Sequence, residues 1–81
     1  MNERDIRVLF GRRLKQIRLE KGLTQERLAE TTSVSVDLIS NIERGVNAPS
    51  FKTLAKISTA LEVSPNELFN FHSLPLKVTN D

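Results

Sequence analysis

The stretch that decides the fold runs from Leu23 to Gly45 and reads LTQERLAETTSVSVDLISNIERG. Thr24 is a favoured helix N-cap, and Leu28 and Ala29 supply the apolar stripe of a short helix behind it. This pattern predicts a helix of about two turns that ends near Thr31 or Thr32.

A second short helix follows after a turn of about three residues. Ser35 is its candidate N-cap, and Ile39 and Ile42 share one face. Arg44 and Gly45 place a cation and a glycine at its C-terminal end, where both are favoured. Two short helices joined by so tight a turn predict a helix-turn-helix.

The segment before this motif predicts one longer helix from Asp5 to Lys21. Its apolar residues recur at helical spacing, which is typical of one buried face; they are Ile6, Leu9, Phe10, Leu14 and Ile17. Gly22 fits the left-handed position that ends a helix. Gly11 lies inside the helix, where glycine costs about 1 kcal/mol relative to alanine, so we expect another backbone to pack closely there.

Two further helices follow a loop at residues 46–49. Ser50 caps a helix that carries the apolar residues Phe51, Leu54, Ile57 and Leu61, and Ser64-Pro65 opens a last helix that carries Leu68 and Phe69. The prediction is an all-α fold, a compact five-helix bundle over residues 5–70. Residues 71–81 form a tail, whose alternation from Leu74 to Thr79 fits either a short edge strand or an irregular end.

Composition excludes several kinds of chemistry. The 81 residues include no cysteine and one histidine, His72, which rules out disulfides and cysteine-based metal sites and leaves no metal or catalytic-triad arrangement. We therefore expect no catalytic residues, no metal and no cofactor. No apolar run suits a membrane span or a signal peptide, so the sequence predicts a cytoplasmic protein. Because so short a chain has a small core, oligomerisation is the remaining aid to stability.

The formal charge of +2 hides a gradient along the chain. Residues 1–22 hold seven basic and three acidic side chains, whereas residues 23–50 hold two basic and four acidic ones. A basic segment suggests a polyanionic partner, although a solvated helix face explains it equally well.

The motif blocks together resemble the Cro/C1-type (XRE-like) helix-turn-helix family of phage repressors and bacterial regulators. The matching blocks are LKQIRLEKGLTQERLA at residues 14–29, VS at 34–35, ISNIERG at 39–45, PS at 49–50, ALEVSP at 60–65 and LF at 68–69. The resemblance implies a domain that binds double-stranded DNA with its third helix in the major groove, usually as a two-fold dimer on a palindromic operator.

The outward side of the third helix is the expected base-reading face, because Ile39 and Ile42 claim the inward side. Its members are Val36, Asp37, Ser40 and Asn41. Asn41 suits adenine, Val36 a thymine methyl group and Asp37 a cytosine amino group, while Ser40 suits either a base or a phosphate. Asp37 also fits a second role, stabilising the positive end of the helix.

The family resemblance further implies phosphate contacts and one structural ion pair. The expected phosphate-binding residues are Gln25, Ser35, Arg44, Asn47, Ser50 and Lys52. Such contacts fix register but carry no sequence information. Arg18 in the first helix is expected to pair with Glu43 and so to orient the recognition helix.

An apolar cluster near the C-terminus predicts a homodimer contact. Leu68, Phe69, Phe71, Leu74 and Leu76 crowd together there, and the last helix needs few of them for its own core. The tail is therefore the expected dimerisation segment.

The leading interpretation is a sequence-specific transcriptional regulator. A repressor fits better than an activator. We expect no separate ligand-sensing domain, because a chain of 81 residues has no room for one. A restriction–modification controller and an antitoxin with a toxin partner fit the same fold. A protein-interaction module that has lost DNA binding is the alternative from another class, supported by the acidic balance of residues 23–50. An enzyme is disfavoured because no phosphate loop, metal spacing or nucleophile–base pair is present.

Overall fold

The computed structural model describes residues 1–72 and residue 74, and over these it confirms the all-α prediction. The helices are α1 (Glu3–Glu20), α2 (Gln25–Thr32), α3 (Val36–Glu43), α4 (Phe51–Leu61) and α5 (Pro65–Leu68). The alternating segment from Leu74 to Thr79 lies outside the described residues apart from Leu74, as does Leu76.

Side-chain caps begin the first four helices. Thr24, Ser35 and Ser50 accept from the backbone N–H groups of Arg27, Leu38 and Thr53, at 3.0, 3.0 and 3.1 Å. α1 begins two residues earlier than the sequence predicts, because Asn2 and Asp5 exchange side-chain and backbone hydrogen bonds in a capping box. Each cap therefore sets the residue at which a helix begins.

One core lies between the helices. α1 packs against α3 and α5, and α2 packs against α3 and α4. The fully enclosed side chains come from all five helices; they are Leu14, Leu28, Ile39, Ile42, Ile57, Leu61 and Leu68. This arrangement leaves the helix-turn-helix of α2 and α3 held on both sides by α1 and α4.

Two residues that the apolar pattern assigned to buried faces are exposed. Ile6 is 42% exposed and Phe51 is 89% exposed. Both lie in the first turn of a helix, ahead of the first buried residue of that helix. The buried stripe of α4 therefore begins at Leu54, which packs against the core, and not at Phe51.

Candidate nucleic-acid interface

A buried ion pair holds the recognition helix against the rest of the domain. Arg18 of α1 donates through Nε to Glu43 Oε2 at 2.6 Å and through Nη2 to Glu43 Oε1 at 3.1 Å. The third nitrogen, Nη1, donates to the carbonyl oxygen of Leu23 at 2.7 Å, just before α2. One guanidinium thus joins the end of α3 to the start of α2, and both charged groups are buried.

Gln25 completes this cluster, a role that the sequence did not reveal. Its Nε2 donates to Glu43 Oε1 at 3.0 Å, so the carboxylate receives hydrogen bonds from two elements besides its own. Gln25 is also the first residue of α2, where its backbone N–H lies at the positive end of the helix. Its side chain is therefore partly committed inside the domain, and its backbone N–H is the group best placed for a phosphate.

The outward face of α3 carries the expected base-reading residues. Val36 and Asp37 are exposed, and Ser40 and Asn41 are half-buried, on the side away from the enclosed Ile39. Among the described residues, only Asn41 of these four forms a side-chain hydrogen bond. Its Oδ1 accepts from Arg44 Nη2 at 2.6 Å. The amide nitrogen of Asn41 is left for an external acceptor, and its oxygen keeps a second lone pair.

The Asn41–Arg44 bond places a cation beside the base-reading face. The sequence assigned Arg44 to the DNA backbone, and the bond to Asn41 places its guanidinium beside a residue that is expected to read bases. The loop after α3 is bonded to the same residue, because the backbone N–H groups of Val46 and Asn47 donate to the carbonyl oxygen of Asn41 at 2.9 and 3.2 Å.

The remaining expected phosphate contacts lie at helix starts or in this loop. Ser35 and Ser50 use their hydroxyl oxygens as helix caps, so the structure gives each of them a structural role besides the phosphate contact expected from the sequence. Asn47 in the loop and Lys52 in the first turn of α4 are exposed. Asn47, Ser50 and Lys52 therefore follow α3 in the chain, whereas Ser35 precedes it.

The expected dimer residues divide into two groups. Leu68 is 0% exposed and belongs to the core, and Leu74 is also buried, so neither offers surface to a second copy. Phe69 is 45% exposed and Phe71 is half-buried, so these two remain available. The expected contribution of Leu68 is corrected for a physical reason: α5 packs against α1 and α4, and its single leucine belongs to the enclosed core.

Neither a metal-binding cluster nor a membrane-crossing helix occurs among the described residues. No group of three or more histidine, cysteine or acidic side chains is arranged there to hold a metal ion. No helix in that part of the chain combines the length and the apolar character that a membrane crossing requires.

A capped pair of short helices, held by a buried ion pair and with the outward face of its second helix left outside the core, is typical of a helix-turn-helix DNA-binding domain. Residues 14–68 match the family model described as Helix-turn-helix, and the chain belongs to that family. It is a DNA-binding transcriptional regulator of the XRE or Cro/C1 type.

Relatives of two kinds are similar to the chain. Control protein C.BamHI of Bacillus amyloliquefaciens is 42% identical over 71 residues, covering 86% of this chain and 88% of that protein. The HTH-type transcriptional regulator SinR of Bacillus licheniformis is 41% identical over 63 residues, but the match spans only 57% of SinR. Among solved structures, the restriction-modification controller protein C.AhdI of Aeromonas hydrophila superposes with a TM-score of 0.74 at 39% identity. That match covers 75% of this chain and 92% of C.AhdI.

Proposed function

We propose that the protein binds a two-fold symmetric DNA site as a homodimer, with α3 of each copy in the major groove, and so controls transcription from a nearby promoter. The observation that carries this proposal is that α3 has one side packed into the domain and another side without a structural role. Ile39, Ile42 and Glu43 are committed to the interior, whereas Val36, Asp37 and Ser40 form no side-chain hydrogen bond within the described chain.

Base reading is assigned to Val36, Asp37, Ser40 and Asn41. The backbone of Gln25 and the side chains of Ser35, Arg44, Asn47, Ser50 and Lys52 are assigned to phosphates. Two classes of contact are needed because phosphate contacts position the protein while contacts to base edges select the sequence. A locked α3 suits this task, since a helix that tilted freely would present its side chains to no fixed base pair.

A more specific role is that of a controller in a restriction–modification system. The similarity to C.BamHI covers 88% of that protein, and the similarity to C.AhdI covers 92% of it. The match to SinR covers a smaller share of a longer protein. Repression through an operator and the controller role share the same DNA-binding step, and both place the protein in the cytoplasm.

Selection of bound fragments from a random DNA pool tests the common step. We expect an enriched palindrome with half-sites about 34–36 Å apart, one turn of DNA. Enrichment of an asymmetric site would overturn two-fold binding. Failure to enrich any sequence, with no salt-dependent affinity for DNA, would favour a protein-interaction module instead.

A further inference from the structure

The bond between Arg44 and Asn41 decides which way round the Asn41 amide lies. Arg44 is the C-cap of α3, and its Nη2 donates to Asn41 Oδ1 at 2.6 Å. An arginine side chain carries donors and no acceptor, so only the amide oxygen can face it. The N–H groups of Asn41 Nδ2 are left without a partner among the described residues.

No carboxylate competes with Asn41 for this guanidinium. Arg44 forms no ion pair in the part of the chain that the structure describes. The adjacent Glu43 is buried, and its oxygens accept from Arg18 at 2.6 Å and from Gln25 at 3.0 Å. The exposed side chain of Arg44 therefore has Asn41 as its internal acceptor.

The backbone that carries this pair is held on both sides. Gly45 follows Arg44 with a φ of +77°, and a Cβ built on it would lie 2.9 Å from Val8 Cγ2 and 3.0 Å from Val8 Cα. The chain after Arg44 is therefore packed closely against α1. The carbonyl oxygen of Asn41 also accepts from two backbone N–H groups of the loop after α3. A side chain on so fixed a backbone can present its amide in one orientation, which base reading requires.

The group that this pair offers to DNA is a donor beside a cation. In the major groove, guanine presents two acceptors, N7 and O6, whereas adenine presents the acceptor N7 and an amino group that donates. To read adenine, Asn41 Oδ1 would have to accept from that amino group, which would then lie beside the guanidinium of Arg44, donor against donor. Guanine brings an acceptor to the same place. A mismatch of this kind selects against adenine as effectively as a new bond selects for guanine.

We infer that Asn41 reads a guanine in each half-site through the N–H groups of Nδ2, and that Arg44 is the positioning residue that makes guanine the preferred base over adenine. This inference rests on the proposed DNA-binding function. It replaces adenine, the base expected from the Asn41 side chain alone. Arg44 acts through Asn41, and its other N–H groups remain for the expected phosphate contact.

The first step of the test finds the base pair that Asn41 reads. Wild-type protein and the Asn41→Ala variant are each used to select sites from a random DNA pool. The preference that disappears with Asn41→Ala marks the position, and we expect guanine there in both half-sites. A second duplex then carries adenine in place of this guanine and is otherwise identical. The wild type should bind the guanine duplex at least about fivefold more tightly than the adenine duplex.

The second step separates positioning from phosphate binding. Arg44→Met keeps a long side chain but has no donor for Asn41 Oδ1, so the guanine-to-adenine affinity ratio should fall to about one or reverse. Lys52→Met is the matched control, because it removes another exposed cation that is assigned to a phosphate. This control should weaken binding to both duplexes and keep the wild-type ratio, since phosphates are the same everywhere.

The inference is overturned by an Asn41-dependent position that prefers any base other than guanine, by the absence of such a position, or by an Arg44→Met variant with the wild-type ratio. Its failure is distinguishable from failure of the proposed function. A selected palindrome with adenine at this position would uphold DNA binding and reject the guanine assignment. Failure to enrich any sequence would reject the proposed function and the inference together.

Discussion

Gly11 and Ile42 bring the backbones of α1 and α3 into contact. A Cβ built on Gly11 would lie 2.3 Å from the carbonyl oxygen of Ile42 and 2.6 Å from that of Glu43. Both neighbours are backbone atoms in the last turn of the recognition helix, and they cannot move aside without moving that helix. The close packing of α3 on α1 therefore requires a residue without a Cβ at position 11.

Gly11→Ala should destabilise the protein by about 1–3 kcal/mol, the usual cost of overpacking. The gain in helix propensity, about 1 kcal/mol, is too small to offset a clash with backbone. Affinity for DNA should fall as well, because α3 must shift. Urea unfolding and DNA titration measure the two effects.

Gly22→Ala is the control for this change. Gly22 has a φ of +74° and nothing within 4 Å of a built Cβ, so alanine there carries a conformational cost but no clash. It should lower stability and leave DNA affinity unchanged at temperatures where the variant is folded. A Gly11→Ala variant that binds DNA as the wild type does would show that α3 accommodates the methyl group.

Arg18→Met or Glu43→Leu alone should destabilise more than the two changes together. Removing one partner leaves a buried charge, typically at a cost of about 3–5 kcal/mol, whereas the double variant leaves no charge and deprives only two neutral groups, the Leu23 carbonyl and the Gln25 amide, of these hydrogen bonds. A double-mutant cycle from urea unfolding gives the coupling. The exposed pair Arg27–Glu30 at 3.3 Å is the control, with an expected coupling below about 0.5 kcal/mol. Additive losses at Arg18 and Glu43 would contradict the prediction.

Gln25→Glu should destabilise more than Gln25→Ala. Alanine removes one hydrogen bond to Glu43, which is worth about 1 kcal/mol, and leaves the ion pair intact. Glutamate would place a second carboxylate where the amide now lies 3.0 Å from Glu43 Oε1. Thermal unfolding should rank the wild type first, the alanine variant second and the glutamate variant last. Equal melting temperatures for the two variants would contradict the expected repulsion between a carboxylate at position 25 and Glu43.

Asn41→Ala and Asn47→Ala make the same chemical change on two kinds of surface. If Asn41 reads a base edge, its loss should cost about 1–3 kcal/mol on the selected site and little on scrambled DNA. Asn47 in the loop should instead weaken binding to both duplexes alike, since phosphates are the same everywhere. Titration of both variants against both duplexes decides between the roles. Equal loss on both duplexes for Asn41→Ala would remove it from the base-reading face.

Lys52→Ala should reduce the slope of log K against log[salt] by about one, because each neutralised phosphate releases counterions. Lys15→Ala removes another exposed lysine, which lies in α1 and is not among the expected contacts, and should change the slope little. Affinities measured at several salt concentrations give both slopes. Identical slopes for the two variants would exclude a specific Lys52–phosphate contact.

The sequence predicted most of the fold because caps and apolar spacing are local signals. Thr24, Ser35 and Ser50 cap the helices that their positions suggest. The exposure of Phe51 is a property that such local signals did not predict. Helical spacing identifies the face on which a residue lies, but only the lengths and crossing of neighbouring helices decide whether its turn is covered. Gln25 shows the same limit, because its bond to Glu43 joins residues 18 positions apart in different helices.

The uncommitted side of α3 has a consequence for how the domain can change its target. Val36, Asp37 and Ser40 lend no side-chain hydrogen bond to the described chain, and the residues that secure α3 lie on its opposite side. Exchanging these three side chains should therefore retarget the protein to a different operator while its folding free energy stays nearly constant. Such a domain can acquire new DNA target sites through a few point mutations, without first accumulating stabilising mutations.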